Sequence, residues 1–341
     1  MREIRVAVFG AGENTRVKHI PGLQAIPGVS IVGVCNRSRE SSEKAAKQFG
    51  IKKTYAHYQE LAADPEFDAV MIGTWPYMHC PATIAALNHE KHVLCEARMA
   101  LNAAEARTML AAARAHPACV AQLVPSPFTL RVDKTIQKMI AAGAIGDPLA
   151  VELRAGGAFL NRDAPMTWRQ NLDYSGVNMM SLGIWYEALL RWVGEATHVT
   201  ASGKTFQKTR KDEQGVPRAI RVPEHLDVVA DLACGAQLHI QISAVAGLAG
   251  PAEAFIFGSE GTLRYCDNRL YSGRRGDKEL REVSIPPADE GRWRVEEEFV
   301  NAIRGAERIT HTTFEDGVRY MEFTEAVWRS IQTGERIALP T

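Results

Sequence analysis

The chain reads as two successive architectures. Residues 1–124 predict a doubly wound parallel α/β domain, and residues 125–341 an α+β domain with a large, open, mostly antiparallel sheet. Three observations carry this. Short apolar runs alternate with helical stretches as far as Leu123. Pro125-Ser126-Pro127 then breaks the pattern. From Ala196 to about Pro286, strand follows strand across glycine-bearing turns, and helices return only afterwards.

The first strand is Ile4–Phe9, followed at once by Gly10-Ala11-Gly12 and a helix from about Glu13. Val29–Cys35 is the second strand. Helical patterns cover Ser41–Phe49 and His57–Ala63, and Ala69–Gly73 is a buried strand. Pro81–Asn88 reads as helix, His92–Cys95 as strand, the alanine-rich Ala103–Ala115 as helix and Val120–Leu123 as strand. Beyond the break, a helix over Arg131–Ala142 stops at Gly143, and strands resume at Leu149. A polar, irregular segment runs from Gly156 to Ser175 and precedes a helix predicted over Val177–Val193. Strands follow at Leu226–Ala233, Ala236–Ser243, Ala254–Phe257 and Thr262–Tyr265. The last helices are Val295–Arg304 and Gly317–Thr333.

Lys plus Arg and Asp plus Glu both total 40, so no excess charge recruits nucleic acid or an anionic membrane surface. No apolar run reaches spanning length, and the chain enters its first strand without a signal-peptide pattern. The six cysteines are scattered, with no metal-ligand spacing. They read as reduced thiols of a cytoplasmic protein, with no metal.

Strand, glycine turn, helix and second strand form the unit that holds a dinucleotide pyrophosphate over a helix N-terminus. Gly10 permits the turn, and Gly12 lets a phosphate approach the backbone beside Glu13 and Asn14. The usual third glycine would fall at Thr15. The end of the second strand selects the cofactor. A carboxylate there accepts from ribose hydroxyls, whereas Asn36-Arg37-Ser38 suits a 2′-phosphate. The expected cofactor is NADP, with NAD as the alternative.

The chain also resembles the Gfo/Idh/MocA family, the glucose-fructose oxidoreductase and inositol dehydrogenase group. The marks are the N-terminal glycine unit, Gly73-Thr74 followed by His79, Lys91–Glu96, Gly143–Asp147, Phe257–Leu263, and the C-terminal Ala326, Ser330 and Gly334. The resemblance implies a Rossmann domain, then a sheet domain that forms homodimers or homotetramers. It implies hydride transfer between NAD(P) and a sugar, sugar acid or cyclic polyol, with a small molecule as the only partner. It adds Thr74, Trp75, His79 and Glu96 to the cofactor-binding set.

The family's usual Glu-Lys-Pro reads Glu96-Ala97-Arg98 here, so Ala97 stands at the lysine position. The family's Asp and His, four apart on a helix, fall at Ser181 and Trp185, with Asn178 expected on the same face. The stretch from Gly12 to His19 is one residue longer than usual. Arg98 cannot be a base but can hold a carboxylate or polarise a carbonyl. His79, Tyr77 and Tyr186 are the candidate proton carriers, and Glu187 is a further acid nearby. The catalytic set is therefore His79, Arg98 and Tyr186. The substrate-binding set is Arg98, Trp168, Arg169, Asn178, Ser181 and Trp185. The leading expectation is an NAD(P)-dependent oxidoreductase. The alternatives are a nicotinamide-retaining lyase, hydrolase or isomerase, or a non-catalytic cofactor-binding protein.

Overall fold

The computed structural model describes residues 3–340. The chain forms two compact units. One comprises the residues up to Pro125 together with Arg294–Val318. The other comprises Ser126–Trp293 and the chain from Arg319 onward.

In the first unit, β1 (Ile4–Phe9), β2 (Val29–Cys35), β3 (Lys53–Tyr55), β4 (Ala69–Ile72), β5 (His92–Cys95) and β6 (Ala121–Leu123) form one parallel sheet in the order 3-2-1-4-5-6. Every residue of β4 is buried, as a strand covered on both faces requires. The crossovers carry α1 (Ile20–Gln24), α2 (Arg39–Phe49), α3 (Tyr58–Ala63), α4 (His79–Asn88) and α5 (Ala103–Ala115). Strand order reverses between β1 and β4, the place where such sheets open a ligand crevice at their carboxyl ends.

A π-helical turn, Thr15–His19, leads into α1. A π-turn is the way an α-helix absorbs one inserted residue. It accounts for the extra residue between Gly12 and His19, and it buries both Thr15 and His19.

In the second unit, α6 (Leu130–Ala141) precedes β7 (Pro148–Gly156), and the irregular segment ends in the short α7 (Leu172–Ser175). Next come α8 (Leu182–Val193), β8 (Ala196–Lys204), a small hairpin of β9 (Thr209–Lys211) and β10 (Pro217–Ala219), then β11 (His225–Leu232) and β12 (Gln237–Ser243). The strands β13 (Glu253–Gly258), β14 (Gly261–Cys266), β15 (Arg269–Arg274), β16 (Arg281–Glu282) and β17 (Ile337–Ala338) complete it. Nine of these strands form one sheet, ordered 16-15-14-13-7-12-11-8-17, in which only the pairing of β12 with β7 is parallel. Alternation along β11 and β12 buries Leu226, Val228, Leu238 and Ile240. Phe255, Phe257 and Arg264 lie on partly exposed positions, the two rings stacked 5.4 Å apart.

Two expectations need correction. A single cut at 124/125 would place α9 (Val295–Ile303) in the second unit. Its buried acids find their partners in the first: Gln122 Nε2 donates to Glu298 Oε2 at 2.6 Å, and Glu296 meets His19. The last long helix, α10 (Phe314–Thr333), then begins in the first unit and ends in the second. The helix predicted from Val177 starts only at Leu182. Met180 has φ +45°, which no α-helix accommodates, and Asn178 Nδ2 donates to Ser175 O at 2.6 Å behind α7. Asn178 therefore does not share a helical face with Ser181 and Trp185.

Candidate functional site

The glycine turn of the first unit has no room for side chains. Gly10 has φ +87°, and a Cβ there would fall 2.7 Å from Thr74 N. A Cβ at Gly73 would fall 1.9 Å from Thr15 Oγ1 and 2.5 Å from Gly10 O. The usual third glycine lets helix and strand pack closely. Here the helix keeps a threonine, and the volume is removed from the facing strand end at Gly73.

Asn36 closes the turn from β2. Its Oδ1 accepts from Ala11 N at 2.7 Å, and its Nδ2 donates to Ser41 O at 2.9 Å. Ser38 caps α2 in a reciprocal box with Ser41. Arg37 and Arg39 are exposed on either side. The Arg37 guanidinium lies 5.5 Å over the Trp75 ring, and Arg39 pairs with Glu43 at 2.8 Å. A turn stripped of Cβ atoms and a helix start fit a dinucleotide.

At the carboxyl ends of β4 and β5, His79 is fully buried. Its Nδ1 lies 2.9 Å from Arg98 O and its Nε2 2.9 Å from Thr74 O. Burial pushes its pKa down, so the ring is neutral and its single N–H serves one carbonyl at a time. His79 braces two loops. This corrects the expectation of a proton relay there. Arg98 follows a cis peptide and is 4% exposed. Tyr77 and Trp75 are half-buried in the turn after β4.

Glu96 is held from three sides. Its Oε1 accepts from Asn14 Nδ2 and lies 2.9 Å from His19 Nε2, and its Oε2 accepts from Ala97 N at 3.1 Å. The other nitrogen of His19 meets Glu296 Oε1 at 2.6 Å. Burial works to lower the His19 pKa, but hydrogen bonds and charge from Glu296 and Glu96 outweigh it and raise it to about 9. Burial works to raise Glu96, but His19, Asn14 and the Ala97 N–H hold it below the usual carboxylate range. Sequence reasoning counted Glu96 and Asn14 among cofactor residues but missed His19 and Glu296.

In the second unit, Tyr186 is 1% exposed and stacks on Phe323 with centroids 3.6 Å apart. Its hydroxyl accepts from Ala196 N at 2.8 Å, and burial pushes its pKa up. This corrects its assignment as a proton carrier. Trp185 is likewise core, packed 4.6 Å from Phe128, and Asn178 is buried. Glu187 is buried, accepting from Ser126 N and pairing with Arg191 at 2.6 Å. Ser181 stays half-buried at the start of α8. The Arg169 guanidinium lies 4.4 Å over the Trp168 ring. Arg169 also lines a pocket of about 300 Å³ with Phe159, Leu160, Met180, Pro223 and the buried Arg210–Glu224 pair. Among the described residues, no cluster of His, Cys, Asp or Glu is placed to hold a metal ion. Among the described residues, no helix is long and apolar enough to cross a membrane.

A family model described as an oxidoreductase family with an NAD-binding Rossmann fold matches residues 4–123, and the Gfo/Idh/MocA C-terminal domain model matches residues 134–264. The chain belongs to the Gfo/Idh/MocA family. Similar sequences include the trans-1,2-dihydrobenzene-1,2-diol dehydrogenases of Mus musculus and Danio rerio. The mouse protein is 32% identical over 155 residues, 46% of this chain and 45% of the relative. The zebrafish protein is 27% identical over 236 residues, 69% and 65% respectively. The chain thus spans about half to two thirds of the length of these curated relatives. A levoglucosan dehydrogenase in complex with NADH and L-sorbose superposes with a TM-score of 0.87 at 20% identity, over 99% of each chain. An aldose-aldose oxidoreductase from Caulobacter crescentus, complexed with glycerol, gives 0.79 at 20% identity, over 99% of this chain and 100% of that one. At these identities the likeness shows the Gfo/Idh/MocA fold.

Proposed function

We propose that the chain is an NADP(H)-preferring oxidoreductase that moves a hydride between nicotinamide and a small cyclic diol, sugar or corresponding carbonyl compound. The observation that carries this reading is the collar of Gly10, Gly12 and Gly73. At Gly10 and Gly73 a Cβ would collide, and at Gly12 it would lie 3.2 Å from Gly73 O. Gly12, Glu13 and Asn14 would hold the pyrophosphate at the helix start. Arg37, Ser38 and Arg39 would take the 2′-phosphate, because Asn36 is already committed to Ala11 and no carboxylate ends β2. Thr74, Trp75 and Glu96 stand at the carboxyl ends of β4 and β5, toward the nicotinamide half.

When bound, the nicotinamide supplies the hydride chemistry, and the protein supplies orientation and proton handling. Ala97 carries no proton. Arg98 is cationic and is the group for holding a substrate oxygen or acid. Tyr77, on the turn Pro76–Met78, is the remaining phenol for the hydroxyl proton. Within the second unit by itself, Trp168 and Arg169 pair an aromatic face with a cationic edge. This pairing suits a ring with vicinal hydroxyls, the class named for the diol dehydrogenase relatives. The partly exposed face bearing Phe255, Phe257 and Arg264 suits a homodimer or homotetramer, and the free thiols, Cys35, Cys80 and Cys95 buried among them, suit a cytoplasmic protein.

The test is nicotinamide absorbance with NADP(H) or NAD(H) across cyclic diols, anhydrosugars and their ketones. At least one compound is expected to turn over, faster with NADP(H). Arg37→Asp should weaken NADPH binding ten- to a hundredfold while sparing NADH. Inertness toward the whole set would sink the oxidoreductase reading. Tighter binding of NAD(H) by the unaltered protein would sink the cofactor preference.

A further inference from the structure

The pocket of about 300 Å³ lies wholly within the second unit, at the small end of the range for ligand sites. Phe159, Leu160, Met180 and Pro223 give it mostly apolar walls. Phe159 is 70% exposed there. Its ring rests against Gly247, where a Cβ would fall 2.6 Å from three ring atoms. A ligand in the pocket can cover apolar surface that the fold leaves in water.

The polar side chains around the pocket divide unevenly. Their acceptors are engaged by the chain itself. Asn161 Oδ1 accepts from Asp163 N at 3.0 Å and Ala164 N at 3.1 Å, and Gln170 Oε1 accepts from Thr167 N at 3.0 Å. Glu224 takes Arg210 on one oxygen and the N–H groups of Phe206 and Gln207 on the other. Arg210 Nη1 donates to the carbonyls of Asn161 and Ala164 at 2.8 Å each, and its Nε is buried out of a ligand's reach. What is left over is donors. A backbone N–H fixes which end of each amide is oxygen, so the spare ends of Asn161 and Gln170 are their NH2 groups. Arg169, on the same lining, can only donate.

We propose that the second unit by itself binds an apolar ring compound bearing a bare acceptor oxygen, a cyclic ketone, in preference to the matching alcohol or a sugar. A ketone oxygen accepts from the spare amide donors and brings no hydrogen of its own. An alcohol brings an O–H to a pocket whose acceptors are taken, and a sugar brings several. The proposal goes beyond the oxidoreductase reading. It concerns binding without cofactor, so it stands or falls apart from hydride transfer.

The test titrates the full chain, without nicotinamide, with α-tetralone, 1-tetralol and glucose by calorimetry. α-Tetralone should bind about fivefold more tightly than 1-tetralol, and glucose should not bind at the same concentrations. Phe159→Ala removes an exposed ring, which spares the fold, and should weaken α-tetralone about fivefold. Asn161→Asp combined with Gln170→Glu keeps the oxygens that serve Asp163, Ala164 and Thr167 but exchanges each spare donor for an acceptor. This pair should raise the dissociation constant of α-tetralone about tenfold and change that of 1-tetralol less than about twofold, so that the preference disappears. Any of four results overturns the proposal: no binding of α-tetralone by the unaltered protein, equal affinity for ketone and alcohol, unchanged affinity in Phe159→Ala, or a preference that survives the paired exchange. Each leaves the hydride-transfer reading standing, and inertness toward nicotinamide leaves this proposal standing.

Discussion

The enclosed imidazolium of His19 ties the stability of the first unit to pH. An unfolded histidine titrates at its ordinary value of 6.5, whereas the folded one is raised to about 9 by Glu296 and Glu96. A raised folded pKa contributes stability that is complete below pH 6.5 and is lost as pH climbs through 9. The difference corresponds to about 3 kcal/mol in acid, of which about 2 kcal/mol disappears between pH 7 and pH 9. For a unit of this size that loss lowers the melting temperature by about 4–8 °C. His19→Gln removes the titrating group. The assay is thermal denaturation of both proteins across this range, followed by circular dichroism. The stability advantage of the unaltered protein should shrink between about pH 8 and pH 9, above the range in which Glu96 and Glu296, left facing each other in the variant, share a proton. An advantage that stays constant with pH would refute the argument that His19 is protonated between two carboxylates.

Two further perturbations test the packing. Gly73→Ala should destabilise the first unit by about 1–3 kcal/mol in urea denaturation, since its Cβ meets Thr15 Oγ1 and Gly10 O. Thr15→Ala alone should be neutral or stabilising, because Thr15 Oγ1 is buried with no hydrogen-bond partner among the described residues. In the second unit, Glu224→Ala should cost about 3–5 kcal/mol by the same measurement, since it strands the buried Arg210 and removes the acceptor of Phe206 and Gln207 N–H. Replacing both partners with apolar residues should restore much of that loss.

The cofactor half was the legible half. A strand, a glycine turn and a second strand at fixed spacing are local signals, and so is the positive φ of Gly10, although the space it leaves is taken by the distant Thr74. The extra residue before His19 was visible as a count, but its resolution into a π-turn was not. The carboxylate that meets the buried His19 at the end of that turn, Glu296, lies 277 positions away in the chain. The substrate half was harder for a different reason. Nearly every side of α8 is buried, from Leu182 and Trp185 to Tyr186 and Glu187. Counting around that helix therefore could not separate pocket from core. Asn178 looked helical by spacing, yet its amide bonds the carbonyl of Ser175 and Met180 turns the backbone left-handed.

The exchange of space between Thr15 and Gly73 has a historical side. A lineage with glycine at both positions could acquire a threonine on the helix at once, since the strand end already leaves the gap. From the present state the strand position is locked: any larger residue at Gly73 must wait until position 15 has first become smaller, and the contact with Gly10 O still remains. The two sites are therefore epistatic, and the order of substitution matters. Among related sequences, a side chain at the position of Gly73 should be found only beside a residue smaller than threonine at the position of Thr15.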